Sequence, residues 1–512
     1  MTQLPRQEDR RVIPRWRETA TAVQLGEANS LNAAQPKETQ RVRAQASVRL
    51  LELQTAFAAH PSVGRAAELT GAATLLRQVD GAQDAAAFLL RHPHDTTPRV
   101  LQAARHILGQ PLAELRPLSP PNMDELAPDD MHSEVRRLRA DLKAFDRSPM
   151  AHVDLARMYA ALGATRKAER HLRVALGLAP HHRLVLRAAV RFYVHVQAPD
   201  EAVHLLRRQP RTLHDPWLMA AEISSAMVAG LVPRSIKRAR EVLDRREFHP
   251  HHMSELAAAL GTLELQGAKP KKVRRLLQQA LEQPTENALA QVQWAAPQVR
   301  LDLDERQWTD VPRNFEAAGW TNYEAQQFQA ARAAYLAWFQ DEPFSAEPAI
   351  LAGYLSHLLD PTPSRAIDLT RMALAASPAE DLLLNNMAFY LAEAGQLDLA
   401  QQYLARTQPL PPDTELGLTL SATRGLIAFR RGNEELGRAL YEQAIAAART
   451  RSLWEYETLA TLYYSRELAR IQDPSAPERL MRARLIAEKI AEPGLVLTAQ
   501  RATADVLAFS EA

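Results

Sequence analysis

The chain has 512 residues, of which 46% are hydrophobic but only 6% aromatic, and a formal net charge of +2. It contains no cysteine, which excludes disulfides, iron–sulfur clusters, thiolate zinc sites and cysteine nucleophiles. No stretch approaches the roughly 18 consecutive apolar residues of a membrane span, and the charged first residues lack the apolar core of a secretory signal, so the reading expects a soluble cytoplasmic protein with no membrane partner.

Ala and Leu dominate the apolar surface and favour helices, whereas strand-favouring residues are scarce. Residues 1–45 show no sustained apolar period, and a flexible N-terminal arm is expected there. Within it, Val12-Ile13-Pro14-Arg15-Trp16-Arg17 is an apolar–basic cluster. It either docks as an extended segment or lets Trp16 pack on the first helix of the array, and the second reading is preferred. From 46 onward apolar residues recur every three or four positions in blocks broken by Gly or Pro, the pattern of amphipathic helices. Residues 46–130 read as degenerate helical repeats, and 131–290 as a basic array with 27 Lys and Arg against 16 Asp and Glu. Residues 291–315 break the register and read as an irregular hinge. Residues 316–512 form an acidic array ending in capping helices, with 20 basic residues against 29 acidic from 291 onward. Extra residues near Gln472–Pro477 sit between paired helices, as terminal units often allow.

One pair of helices carries the repeat most cleanly. Leu155, Ala156 and Tyr159 share a face, Gly163 opens a turn, Ala168, Leu172 and Ala175 face back, and Pro180 stops the second helix. This resembles a tetratricopeptide repeat, whose unit is about 34 residues long. The pattern returns, eroded, at Tyr193, Ala202 and Leu206, at Gly267, Leu276, Ala280 and Pro284, at Ala388, Gly395 and Ala400, and at Gly425, Gly432 and Tyr441. The resemblance implies an all-α, right-handed solenoid of stacked helix-turn-helix units, in two arcs joined near 300.

It also implies a concave groove lined by the first helix of each pair. Carried onto this chain, the groove positions are Val153, Arg157, Arg187, Arg191 and His195 in the basic half. In the acidic half they are Asn385, Phe389, Glu393, Phe429, Arg430, Glu457 and Tyr464. The carboxylate clamp of some members is missing: Asn386 occupies one clamp position, but Leu351, Leu355, Thr419 and Thr423 occupy the others. A chaperone tail is therefore not the expected ligand.

The chain offers little catalytic chemistry. Histidines cluster at His92 and His94, at His181 and His182, and at His249, His251 and His252, all at helix boundaries and without metal-ligand spacing. No phosphate-cradling Gly-rich loop or nucleophile elbow occurs, and the acids Asp302, Asp304 and Glu305 read as solvated loop charge. No cofactor and no metal are expected. A basic stripe is the stronger signal: Arg234, Lys237, Arg238, Arg240, Arg245 and Arg246 occupy one unit, and Lys269, Lys271, Lys272, Arg274 and Arg275 the next. It could neutralise phosphates, although no stacking aromatics are interleaved. The sequence thus points to a non-enzymatic scaffold or adaptor binding one or more proteins. A nucleic-acid binder using the stripe and a regulatory subunit for an enzyme on another chain are the alternatives, and self-association is allowed by the opposed charges.

Overall fold

In the computed structural model the described residues are 10–19, 48, 50–76, 79–96, 98–110, 128–144, 146–265, 267, 270–303 and 311–511. Among them there is no strand, and the helices pair as the repeat pattern expects. The chain divides into two compact units. An N-terminal unit comprises Glu8–Ala317 with Gln340–Glu342, and a C-terminal unit takes in Ala318–Phe339 and Pro343–Ala512.

The N-terminal unit contains α1 (Val63–Leu76), α2 (Gln83–Arg91), α3 (Pro98–Ile107), α4 (Pro128–Ala144), α5 (Pro149–Ala161), α6 (Thr165–Leu178), α7 (Arg183–His195), α8 (Pro199–Arg207), α9 (Pro216–Val228), α10 (Ile236–Arg245), α11 (Pro250–Leu265), α12 (Pro270–Ala280) and α13 (Glu286–Val299). Helices α5, α7, α9, α11 and α13 follow one another as first members, and neighbours in that series pack on one another; α5, α7, α9 and α11 also pack on their own partners. The helix α14 (Phe315–Glu324) begins in this unit and ends in the other. In the C-terminal unit, α15 (Phe328–Asp341), α16 (Ala346–Leu359), α17 (Ser364–Ala376), α18 (Asp381–Glu393), α19 (Leu397–Leu404), α20 (Glu415–Arg430), α21 (Glu434–Thr450), α22 (Trp454–Arg470) and α23 (Ala476–Ile490) continue the scheme, and α24 (Pro493–Glu511) closes the chain.

The two members of a pair are built differently. Second helices such as α10 and α12 are amphipathic: Ala239, Val242 and Leu243, or Val273, Leu276, Leu277 and Ala280, face inward. First helices such as α9 and α18 are buried almost all round, which requires cover on every side. The best-marked repeat has the expected packing. Ala156, Ala168, Leu172 and Ala175 are buried, Tyr159 stacks on His171 at 5.6 Å, and Gly163 takes φ +69° in the turn. Many prolines read as stops instead start helices, where the missing N–H is harmless. Side chains of Ser148, Asp215, Thr285 and Thr414 cap helix N-termini.

Two expectations are corrected. The arm is not flexible throughout, because residues 10–19 are described and seven of these ten are buried; residues 1–9 and 20–45 lie outside the described residues. The hinge at 291–315 does not hold as drawn either. Residues 291–299 continue α13 despite Pro297, until Arg300 ends it in a left-handed conformation, φ 54°. The compact units meet in sequence at Ala317–Ala318 instead; residues 304–310, with Asp304 and Glu305, lie outside the described residues.

Candidate functional site

In the N-terminal unit the inner faces of the first helices carry an extended segment of the chain itself. It runs from Arg10 beside α13 and α14 to Thr19 beside α5. Arg10 grips Glu316 with both ends of its guanidinium, at 2.6 and 2.8 Å, and donates to Gln291 at 2.7 Å and Asn287 at 3.1 Å. The same two amides read the segment's backbone. Gln291 donates to the Arg10 carbonyl at 2.9 Å, and Asn287 to the Ile13 carbonyl at 2.8 Å. Val12 joins the core of Met219, Ile223, Leu256 and Val292. Arg15 bridges Glu316 and Glu342, and Glu342 also accepts from the Trp16 backbone N–H at 3.2 Å. Arg17 pairs with Glu286 and, at 3.4 Å, with Asp341. Trp16 meets Phe192 of α7 edge to face at 6.1 Å. Asp154 accepts from both the backbone N–H and the hydroxyl of Thr19, each at 2.8 Å.

The floor of this groove is therefore acidic: Glu286, Glu316, Asp341 and Glu342 face three arginines of the segment. Burial alone would raise the Glu316 and Glu342 carboxyls, but the guanidinium charges outweigh it. Arg10 and Arg15 hold Glu316 at about 2, and Arg191 with Arg15 and the Trp16 N–H holds Glu342 at about 2. Both acids are ionised at neutral pH, as charge-assisted pairing requires.

Five expected groove residues lie in this unit, and the first of them, Val153, is fully buried. Arg157 donates to the Asp341 carbonyl at 3.2 Å, and Arg191 pairs with Glu342 at 3.3 Å. His195 is kept neutral with a pKa of about 4, chiefly by burial and then by Arg191, against the pull of Glu342. Arg187 is buried in a bidentate pair with Glu255 at 2.8 and 3.1 Å. Sequence reasoning missed Arg183, which stands one turn before Arg187. Arg183 bonds Asp215, and the two guanidinium groups flank the Trp217 ring at 4.5 and 4.8 Å. The spacing Arg183, Arg187, Arg191 places three cations on one stripe of α7 and sends each to a different element. Glu286, Asn287 and Gln291 were also missed, although polar residues on an otherwise apolar helix were a usable signal.

The seven expected groove residues of the acidic half lie in the C-terminal unit, where Phe429 packs on Tyr441 at 6.1 Å and Glu457 pairs with Arg449 at 2.7 Å. Asn385 accepts from Thr423 at 2.8 Å, and Phe389 packs edge-on to Tyr463 and His357 at 5.2 and 5.1 Å. Arg430 bonds Glu467 at 2.6 and 3.0 Å. Glu393 lies with Arg430 at 3.5 Å and also pairs with Arg466. Tyr464 stacks on Tyr441 at 5.2 Å and donates to Glu442 at 3.2 Å. The last helix, α24, starts against Tyr323 and Tyr354 and reaches α22 through Asp505 and Arg466, 3.7 Å apart.

The basic stripe lies on the second helices α10 and α12. Carboxylates are interleaved with it: Arg238 with Glu247 at 2.5 Å, Arg240 and Lys272 with Glu264 at 2.7 and 2.6 Å, Arg246 with Glu282 at 2.8 Å, and Arg275 with Asp244 at 3.5 Å. Arg234, Lys237, Lys271 and Arg274 have no carboxylate partner among the described residues; Lys269 lies outside them. The stripe is thus a mixed-charge face, where several of the cations already stand beside a carboxylate.

The histidine clusters serve as helix boundaries and packing. His92 ends α2 and His182 precedes α7, while His251 and His252 pack on Trp217 at 5.8 and 5.5 Å. Among the described residues no group of three or more His, Asp or Glu could hold a metal ion, and no helix is long and apolar enough to cross a membrane.

No family model matches the chain, and no curated protein matches it. Among solved structures it is similar to a human IFIT1 dimer with PPP-AAAA, at 15% identity over 75% of this chain and 96% of that one, with a TM-score of 0.35. It is also similar to the yeast Tom70, at 13% identity over 86% and 95% of the two chains, with a TM-score of 0.29.

Proposed function

We propose that the chain is a non-catalytic protein-binding scaffold whose N-terminal unit receives extended polypeptide segments along its first helices. The observation that supports this is the docking of residues 10–19. Asn287 and Gln291 contact the segment's backbone carbonyls, contacts that any extended peptide could make, while Glu316 and Glu342 select side chains. Recognition of this kind combines main-chain contacts for affinity with pockets for specificity. The concave-groove residues of the resemblance, Arg157, Arg191 and His195, border this path and form part of the proposed surface.

The test is a titration. A fluorescein-labelled peptide with the sequence of residues 10–19 is added to a chain lacking residues 1–19. Saturable one-to-one binding is expected, or peptide-induced folding if the truncated chain is loose without it. A truncated chain that is folded by circular dichroism and ignores the peptide sinks the proposal.

A further inference from the structure

Resting on that reading, we infer that residues 10–19 are an exchangeable occupant held in place by the chain itself, and that the groove's external partner is an arginine-bearing extended segment of another protein. The chemistry of the contact carries the inference. A segment serving only to plug the groove would be held best by apolar packing, since buried ion pairs add little net stability over apolar groups of the same volume. Here three arginines of the segment are paired with acids beside that packing. Arg10, Arg15 and Arg17 each end on a buried carboxylate, and the apolar contribution comes from Val12 and Trp16. Buried charges of this kind specify which segment fits more than they strengthen the fold.

The geometry also states what the partner must present. Glu316 meets Arg10 with two parallel contacts, at 2.6 and 2.8 Å, and shares its second oxygen with Arg15. A planar fork satisfies that arrangement and a lysine ammonium does not. Arg15 lies five positions after Arg10, and an aromatic follows at 16, against Phe192, before the last cation at 17. The groove therefore fits an arginine, four intervening residues with an apolar one two places on, and then Arg-aromatic-Arg. A segment tethered in the same chain has an effective concentration of about millimolar. A free partner at micromolar concentration displaces it only by matching these contacts and adding others.

The experiment uses the full chain with a fluorescein-labelled peptide copying residues 10–19. The intact chain is compared with Trp16→Ala and Arg15→Ala chains, whose own segment is weakened while the groove is kept. If the groove is occupied about 99% of the time, weakening the occupant raises probe affinity by up to roughly 100-fold. A Glu316→Gln, Glu342→Gln chain should lose the probe, and a probe with lysine at the three arginine positions should bind at least about tenfold more weakly. Equal probe affinity of intact and Trp16→Ala chains overturns the inference while leaving the peptide-binding reading intact. Failure of every chain, including the truncated one, to bind the probe overturns that reading itself. A lysine probe that binds as well as the arginine probe overturns the assignment of partner chemistry. A mass that doubles with concentration and is lost on deleting residues 1–19 shows exchange between copies, and overturns the arrangement in one chain.

Discussion

Each of the two units packs a further piece of chain against first helices of its own, but by different physics. In the N-terminal unit the cover is an extended segment fastened by charge, with Arg10, Arg15 and Arg17 on Glu286, Glu316 and Glu342. In the C-terminal unit the cover is α24, a 19-residue helix that satisfies its own backbone. It needs its neighbours for packing through Leu495, Ala499, Ala502 and Val506, and for a few hydroxyl contacts such as Tyr323 to Glu492 at 2.6 Å. A helix brings its hydrogen bonds with it, whereas an extended strand without a ladder must find partners for its polar groups side chain by side chain. The helical cover suits a permanent part and the extended one an exchangeable part.

Several variants sharpen or break that contrast. The largest expected effect is in the C-terminal unit, at Arg466, which is buried among Glu393, Glu467 and Asp505. Arg466→Ala leaves acids without their counter-charge and should cost about 3–5 kcal/mol in a urea melt. A loss below about 1 kcal/mol would mean that charge holds this unit no more than packing does. Tyr159→Ala, away from both covers, should also cost roughly 3–5 kcal/mol by opening a cavity between α5 and α6. An unchanged melt would show the repeat register at 149–178 to be wrong. Next comes Gly494, where an added Cβ would collide with the Tyr323 hydroxyl and lie 2.6 Å from that of Tyr354. Gly494→Ala should cost about 1–3 kcal/mol through overpacking and loosen α24 specifically, read as faster amide exchange over 493–511. Exchange that rises equally everywhere would place the strain elsewhere.

Acid should separate the two covers. His357 is held near 3 by burial, with Arg466 and Arg501 adding to it, so the unfolded chain binds a proton that the folded one refuses. Stability of the C-terminal unit is therefore full above 6.5 and falls as pH drops toward 3. Glu316 and Glu342, held at about 2, act on the other cover. Their contribution is present above about 4.5 and is lost as pH falls toward 2. Acid dissociation of residues 10–19, followed by amide exchange, should thus depend on these carboxylates below 4.5. The slope above 4.5 in the C-terminal unit should flatten in His357→Gln, and a slope that survives the change excludes His357 as its source. The smallest effect is expected on the stripe. Arg275→Ala removes an exposed pair with Asp244 and should shift stability by less than about 0.5 kcal/mol.

Much of this architecture was legible in the sequence. The repeat at 149–178 was readable because small and aromatic residues fall at spacings that only close helix pairs need, and Gly163 marks the turn. The assignment of Arg157 and Arg191 to an inner face came from the tetratricopeptide resemblance. Their engagement was not legible, because Glu342 lies 151 positions from Arg191 in sequence, and the partner of a charge at that distance is set by tertiary packing. The segment 10–19 was misread for a related reason. It has no period because it belongs to no helix, so its order is imposed entirely by the surface it lies on. The stripe erred in the other direction: counting cations along α10 and α12 ignored the acids at Glu247, Glu264 and Glu282 that folding brings among them.

The contact between Arg10 and Glu316 spans 306 positions of the chain, and it imposes an order in time. A ribosome adds about 5–20 residues per second, so roughly 15–60 s separate the synthesis of the segment from that of the last acids that hold it. Helix pairs such as α5 and α6, whose contacts are local, can form within that interval. Residues 10–19, made well before the acids that hold them, are thus late to settle, and until Glu342 has been added the growing chain carries an unclaimed basic segment.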